Sequence, residues 1–475
     1  MVIPKRTGVF NVWRFFCFLS LFILLTEVSL QHVQGQSINP LQSSTAPFIE
    51  PPMPDGFEGR PTFCNFVQSP NYQHTIWQCV LPETNPNLAF DTVSWRIAID
   101  QQGQLTSSAL SAPSRTYSAT LKDFIREILA INNDNEWLAR PLAQLPSAFI
   151  DYSKLYIIKP DASGSQPYDM QEISGFPLSQ VLQAWNITGK GWLIKHRRNT
   201  RNIPPARFTL LDQTGRSING HHLVELYRER GLIISKNGDI IHWGMADDQR
   251  DKITIICQSP TLNVIAKTTL DYPPEQNLIG LALPNNEVLL LKAEVQENQQ
   301  VLAGYFINPA GNCQARPFET ISLPSHGDLH VTQGSQDASR GKDQYLSIRW
   351  LKHAIILPNG NVILFYTEQL DTRYLKIEVS PEREDRARLW ALQFNPLSQH
   401  IIWDKIVISS RDPASEAFTT KLDNNTPSIS ASYDPGLSLA LLPDINQIWI
   451  TLMIPERPPN PNFPHQPRIY QLPLD

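Results

Sequence analysis

The sequence lacks the short motifs that identify several classes of enzyme. It contains no G-x-S-x-G, no H-E-x-x-H, no P-loop and no complete G-x-G-x-x-G. It also contains no C-x-x-C, so a zinc ribbon or a thioredoxin-like redox site has no support. These absences do not exclude an enzyme, because loops that are distant in sequence can assemble an active site. They leave no basis for predicting a cofactor.

Charged residues and glycine are both scarce. Only 18% of the 475 residues are charged, and 40 Lys and Arg stand against 45 Asp and Glu. A general nucleic-acid-binding protein would carry a clear basic excess, so we predict no nucleic-acid partner. Glycine is outnumbered by proline, 22 to 39, which disfavours helices and favours loops and sheet edges. With 41% hydrophobic residues the chain is expected to fold, as two to four ordinary domains or one repeat-built domain.

Long apolar runs are missing apart from one near the start. Residues 15–25 are apolar and follow the basic residues Lys5, Arg6 and Arg14. The run is shorter than the roughly 20 residues that cross a bilayer. We therefore predict a secretory signal peptide over residues 1–35 and a secreted or periplasmic product without a transmembrane segment. An uncleaved anchor is the alternative.

Cysteine is rare, and its count agrees with export. Cys17 lies inside the predicted signal, which leaves Cys64, Cys79, Cys257 and Cys313. An even number suits disulfides in an oxidising compartment, although four cysteines allow three pairings. We favour Cys64–Cys79, because both flank a predicted strand-turn-strand segment, and Cys257–Cys313 by default. Four buried free thiols are the alternative.

What the chain does contain is a recurring unit of apolar strand, tight polar turn and apolar strand. The turns are Lys236-Asn237-Gly238, Pro284-Asn285-Asn286, Pro358-Asn359-Gly360 and Pro443-Asp444. Such turns between apolar, β-branched-rich runs are strong hairpin signals. The sequence therefore predicts an all-β dominated fold.

The spacing of these turns favours an irregular β-propeller, whose four-stranded blades repeat every ~40–50 residues. The first two turns are one blade apart. The next interval fits one blade plus a loop at residues 324–344. The last fits two blades if Leu389–Phe394 and His400–Ile408 form an extra hairpin. A pair of β-sandwich domains is the alternative.

Helical apolar spacing predicts insertions in the N-terminal half, over residues 121–129, 178–185 and 222–230. The expected order after the signal peptide is a spacer, a β-rich region with these helices, propeller-like repeats and a proline-rich tail. Their predicted bounds are 36–61, 62–230, 231–454 and 455–475. We expect the tail to lie over the surface in extended form, without adding regular structure.

One hairpin resembles the Asp-box of sialidase-like, BNR-type β-propeller proteins. In Ser235–Trp243, Asn237 stands where the family has Asp, Asp239 where it has Gly, and Trp243 falls one place late. Ala354–Phe365 is similar to the strand pairs of the same family. The resemblance implies propeller geometry and, by fold analogy, carbohydrate as a substrate or ligand. It fixes no catalytic residue.

Two local groups of residues are candidate sites. His326, Asp328 and His330 alternate, so in a strand they would share one face and could hold a divalent metal; on a loop the spacing means nothing.

The second group is a basic run consisting of Lys195, Arg197, Arg198 and Arg201, with Trp192 beside it. The run could bind an acidic glycan or an anionic surface while Trp192 stacks on a sugar. The alternatives are a solvated hairpin tip and a core Trp.

Together these features favour an exported, non-catalytic binding or scaffold protein that recognises a glycan or an envelope protein. A sialidase-like glycoside hydrolase is the alternative.

Overall fold

The computed structural model describes most of the chain from residue 46 onwards. The described ranges are 46–51, 63–82, 92–111, 125–141, 155–160, 168–173, 181–196, 207–224, 226, 228–245, 251–271, 278–296, 299–323, 347–370, 388–409, 437–454 and 466–474. Residues Thr45–Asp475 form one compact unit. All statements below concern the described residues.

The chain forms seven antiparallel sheets of four strands each, which we number as blades in chain order. Blade 1 contains β2 (Phe63–Gln68), β3 (Thr75–Pro82), β4 (Thr92–Ile99) and β5 (Leu105–Ser111). Blade 2 contains β6 (Ile125–Ile131), β7 (Trp137–Pro141), β8 (Leu155–Pro160) and β9 (Tyr168–Ile173). Blade 3 contains β10 (Val181–Ile187), β11 (Gly191–His196), β12 (Arg207–Leu211) and β13 (Ser217–Leu223). Blade 4 contains β14 (Arg228–Ile234), β15 (Ile240–Met245), β16 (Lys252–Gln258) and β17 (Val264–Asp271).

The remaining blades follow the same order, except that the last takes its outer strand from the start of the chain. Blade 5 contains β18 (Ile279–Ala282), β19 (Val288–Gln296), β20 (Gln299–Asn308) and β21 (Gln314–Ser322). Blade 6 contains β22 (Ser347–Ile356), β23 (Val362–Leu370), β24 (Arg388–Phe394) and β25 (Ile401–Ile408). Blade 7 contains β26 (Ser438–Leu442), β27 (Gln447–Ile454), β28 (Gln466–Pro473) and β1 (Phe48–Ile49), with a 3₁₀ turn at Pro443–Ile445.

Buried apolar side chains close these blades into a ring. They form seven clusters, and each cluster joins two neighbouring blades, from blades 1 and 2 around to blades 7 and 1. At the last joint, Trp77 of blade 1 packs in the same cluster as Trp449 of blade 7, and its Nε1 donates a hydrogen bond of 3.0 Å to Thr451. The protein is therefore a seven-bladed β-propeller, as the turn pattern predicted.

The hairpin signals mark equivalent places in the repeat. In every blade the turn between the first and second strands contains a residue with positive φ: Tyr72, Asn135, Gly189, Gly238, Asn286, Gly360 and Asn446. Glycine and asparagine adopt this conformation at least cost, which is why most of these turns were visible in the sequence. One inference from the spacing was wrong. The segments now seen as β24 and β25 are the third and fourth strands of blade 6, so one blade and a long connection separate the last two turns.

The predicted helices are wrong, because the described residues of all three segments lie in strands or next to them. Residues 121–129 run into β6, residues 178–185 into β10, and residues 222–230 into β13 and β14; the described residues contain no α-helix. β6, β10 and β14 are first strands of their blades, and each has a register shift in its pairing with the second strand. Such bulges interrupt the two-residue alternation, so that apolar residues recur at intervals resembling those of a helix.

Both ends of the described chain meet in blade 7. β1 pairs with β28, so Phe48 lies opposite Tyr470. The expectation that the proline-rich tail adds no regular structure is therefore wrong. Pro467 and Pro473 lie near the two ends of β28, where a missing N–H is best tolerated.

The two faces of the ring differ in the amount of chain that they carry. Because neighbouring strands are antiparallel, connections from first to second and from third to fourth strands leave at one face, which we call the short-turn face. Connections from second to third strands and from blade to blade leave at the other, the long-loop face. The longest connections there span residues 323–346, 371–387 and 409–437. No described helix is long and apolar enough to cross a membrane.

Candidate functional site

The basic run begins at the end of a strand and continues into the connection that follows it. Lys195 is the penultimate residue of β11, and residues 197–206 connect β11 to β12. Arg197, Arg198 and Arg201 lie in this connection, outside the described residues. The Lys195 side chain is only 17% exposed, and its Nζ lies 2.6 Å from Glu229 Oε2 on β14 of the next blade. Its charge is therefore already paired within the protein.

Trp192 belongs to the core. Its side chain has no exposed surface and packs between blades 2 and 3, in a cluster with Leu138 and Ile194. The prediction that it offers a stacking surface for a sugar is therefore wrong, because no ligand can reach the ring without opening the joint between these blades.

The histidine-rich candidate lies in the connection between β21 and β22. His326, Asp328 and His330 are outside the described residues, so their metal site stays a prediction. Within the described part of the chain, no three His, Cys, Asp or Glu side chains come together as a metal site would require.

Both predicted disulfide pairings are confirmed. Cys64 and Cys79 lie directly opposite each other on β2 and β3 of blade 1. Cys257 on β16 is bonded to Cys313, which precedes β21, so this disulfide joins blade 4 to blade 5. All four cysteines are buried.

A polar cluster that the sequence did not reveal lies between blades 3 and 4. It consists of Lys195, Glu229, His242 and Gln258, and we call it the polar joint. His242 Nδ1 lies 3.0 Å from Glu229 Oε1, and His242 Nε2 lies 2.9 Å from Gln258 Oε1. The His242 side chain is fully buried and that of Glu229 is 6% exposed. Because the residues come from β11, β14, β15 and β16, only the packing of the blades brings them together.

The polar joint keeps a carboxylate charged inside the protein. Burial alone would raise the pKa of Glu229, but the hydrogen bond with His242 and the positive charge of Lys195 outweigh it and hold the pKa below its usual value. A buried carboxylate held between Lys195 and His242, which lie on different strands, fixes their relative positions. This arrangement fixes how blades 3 and 4 are positioned at the joint. Both Lys195 and Glu229 lie near the long-loop ends of their strands.

No protein-family model and no curated protein matches the chain. Solved propeller structures show distant similarity. A structure described as the Dos1 propeller is 9% identical, covers 87% of this chain and 95% of its own, and has a TM-score of 0.40. A puromycin hydrolase is 11% identical, with coverages of 87% and 54% and a TM-score of 0.39. The WD40 propeller domain of Doa1 is 9% identical, with coverages of 67% and 93% and a TM-score of 0.29. The propeller assignment rests on the strand topology of this chain, and no activity is carried over from these proteins.

Proposed function

We propose that this protein is an exported, non-catalytic binding or scaffold protein that recognises its partner through the long-loop face. The observation that supports this is the unequal distribution of connections over the two faces. Tight turns with a positive-φ residue occupy the short-turn face in all seven blades, while the long connections are gathered on the other. Loops presented by a rigid scaffold are where binding residues concentrate.

The two disulfides support the proposed export. Disulfides form and persist in oxidising environments such as the cell exterior and the bacterial periplasm. Both bonds are buried within the ring, so they are part of its structure. We therefore propose a secreted or periplasmic location, consistent with the predicted signal peptide.

The partner that we propose is an acidic polysaccharide, bound by the arginines of the connection 197–206. Arg197, Arg198 and Arg201 are the candidates, because Lys195 is engaged by Glu229 and Trp192 is buried. Each basic residue near an anionic surface contributes about 1 kcal/mol. An envelope protein as partner would leave polysaccharide binding undetectable.

Glycoside hydrolysis is less well supported. Retaining and inverting glycosidases generally need two carboxyl groups that flank the substrate. Two deeply buried carboxylates of the described residues are already engaged: Glu229 in the polar joint, and Glu368, which accepts a hydrogen bond of 2.9 Å from Trp390 Nε1. No specific observation favours a catalytic pair.

The test is to replace Arg197, Arg198 and Arg201 together by glutamine and to measure binding to a sulfated or uronic-acid polysaccharide. We expect up to about a hundredfold weaker binding from three lost charges at low salt. The difference should shrink as salt screens the interaction. Release of reducing sugar during the incubation would contradict a non-catalytic role.

A matched control removes three charges from the opposite face of the ring, in blade 3 and the neighbouring blade 4. Lys190, Arg216 and Lys236 are exposed in short turns of blades 3 and 4. Their replacement by glutamine should leave polysaccharide binding unchanged. Equal weakening by both triple variants would mean that only net charge matters, and full binding by the arginine variant would refute the proposed surface.

A further inference from the structure

Both ring nitrogens of His242 face hydrogen-bond acceptors within the protein. Nδ1 meets the Glu229 carboxylate at 3.0 Å and Nε2 meets the Gln258 side-chain oxygen at 2.9 Å. The ring is fully buried, so water cannot replace either partner. A neutral imidazole carries hydrogen on one nitrogen only and would leave the other facing an oxygen lone pair.

The orientation of the Gln258 amide determines whether an acceptor or a donor faces His242 Nε2, since the amide oxygen and nitrogen could in principle be exchanged. Gln258 Nε2 donates to the main-chain oxygen of Leu262 at 3.2 Å. If the amide were turned over, its oxygen would face the Leu262 oxygen, and two acceptors would lie in contact. The backbone of Leu262 therefore fixes Gln258 as the acceptor for His242.

From this geometry we infer that His242 is held as a doubly protonated imidazolium and that the polar joint is a pH-sensitive connection between blades 3 and 4. Glu229 is its counter-ion: His242 contacts Oε1 and Lys195 contacts Oε2, so the two cations hold different oxygens of one carboxylate. Loss of the His242 proton turns one of its two hydrogen bonds into a contact between acceptors and removes one of the two ion pairs. The inference does not depend on the proposed recognition function.

Other titratable groups face the same joint and have to be separated from His242. The centroids of the Phe208 and His242 rings lie 4.6 Å apart. His222 on β13 lies directly opposite Phe208 on β12. Lys267 on β17 lies opposite Ile256 on β16, which in turn lies opposite His242 on β15. On β14, Arg230 follows Glu229, and its guanidinium lies 3.6 Å from Met245 Sδ.

The experiment compares the pH dependence of urea unfolding in wild type, His242→Gln and the matched control His222→Gln. As pH rises above about 6.5, the ordinary pKa of histidine in an unfolded chain, the urea concentration at the wild-type unfolding midpoint should fall. The unfolding equilibrium constant should increase by at most about tenfold per pH unit, the slope for one proton. The His242→Gln variant should not show this fall of the midpoint with pH, whereas the His222→Gln variant should show it as wild type does. The same fall in His242→Gln, or none in wild type, would overturn the inference.

Two further measurements apply if His242→Gln does not fold. Gln258→Met removes the acceptor for Nε2 while keeping the length of the side chain, so it should reduce the fall. In wild type at about pH 6, nitrogen-15-labelled histidine should give one ring with two exchange-protected N–H groups, because both donors of His242 are buried. A buried His242 ring with a single N–H at that pH would refute the imidazolium.

Discussion

Trp243 fits between blades 4 and 5 only because two glycines leave room for its ring, so replacing Gly231 with alanine should destabilise the protein. A Cβ atom at Gly231 on β14 would lie 2.1 Å from Trp243 Cζ2, and one at Gly280 on β18 would lie 2.5 Å from Cη2. Both distances are well below van der Waals contact. The indole is 4% exposed and rigid, so it cannot move aside without shifting one of the blades.

The sign of the effect distinguishes this packing argument from backbone propensity. A glycine to alanine change where the backbone permits it stabilises a protein by about 0.4–1 kcal/mol, because it restricts the unfolded chain. Forcing extra volume into a packed core costs about 1–3 kcal/mol. Gly231 has no positive φ, so propensity alone predicts a gain, whereas the contact with Trp243 predicts a net loss of about 1–2 kcal/mol.

The assay is urea unfolding of a double-mutant cycle formed by Gly231→Ala and Trp243→Leu. Because the smaller leucine removes the ring that the new methyl group meets, the Gly231→Ala penalty should nearly disappear in that background. Gly304→Ala is the control, because its Cβ would meet the main-chain oxygen of Leu290 at 2.0 Å, and this clash does not involve Trp243. An unchanged Gly231→Ala penalty in the leucine background would refute the reasoning.

Three further predictions concern other contacts. Replacing Cys257 and Cys313 by serine should cost about 4 kcal/mol, since the bond closes a loop with a sequence separation of 56; unfolding with and without reductant checks this. Glu229→Gln should cost about 3–5 kcal/mol at neutral pH. The pKa of Glu229 is lowered in the folded protein, so its stabilising contribution is present above its unfolded pKa of about 4.3 and is lost as pH falls through its folded pKa. The difference in free energy of unfolding between Glu229→Gln and wild type should therefore become smaller in acid. Gln78→Ala should cost about 2–5 kcal/mol, measured by urea unfolding, because the Gln78 amide bonds both the N–H and the oxygen of Ile128 in blade 2, at 2.9 and 2.8 Å.

The features that could be predicted from the sequence were those fixed locally. Asn237-Gly238 and Asn359-Gly360 mark turns because few residues adopt a positive φ easily, and these turns sit at the same place in their blades. Cys64 and Cys79 could be paired because two strands joined by a short turn bring their residues into register.

The remaining features depend on long-range packing. The segment at residues 121–129 resembles a helix in its apolar spacing because two register shifts in β6 disturb the alternation, and only the pairing of β6 with β7 fixes Ile125–Ile131 as a strand. The polar joint was missed for a similar reason. In the sequence Lys195 belongs to a basic run with Arg197 and Arg198, and no neighbouring residue indicates its contact with Glu229 on the next blade.

The pairing of β1 with β28 has a consequence for how the ring is sealed. Among the described strands, β28 comes last in the chain, so the joint between blades 7 and 1 is completed after the other joints of the ring. Neither disulfide crosses it, since one lies within blade 1 and the other links blades 4 and 5. This seam is held by the pairing of β1 with β28, by packing, and by hydrogen bonds such as that of Gln68 Nε2 with the Leu441 oxygen, at 2.7 Å. Under mechanical or thermal load, we expect the propeller to open first along this seam, as an intact row of blades.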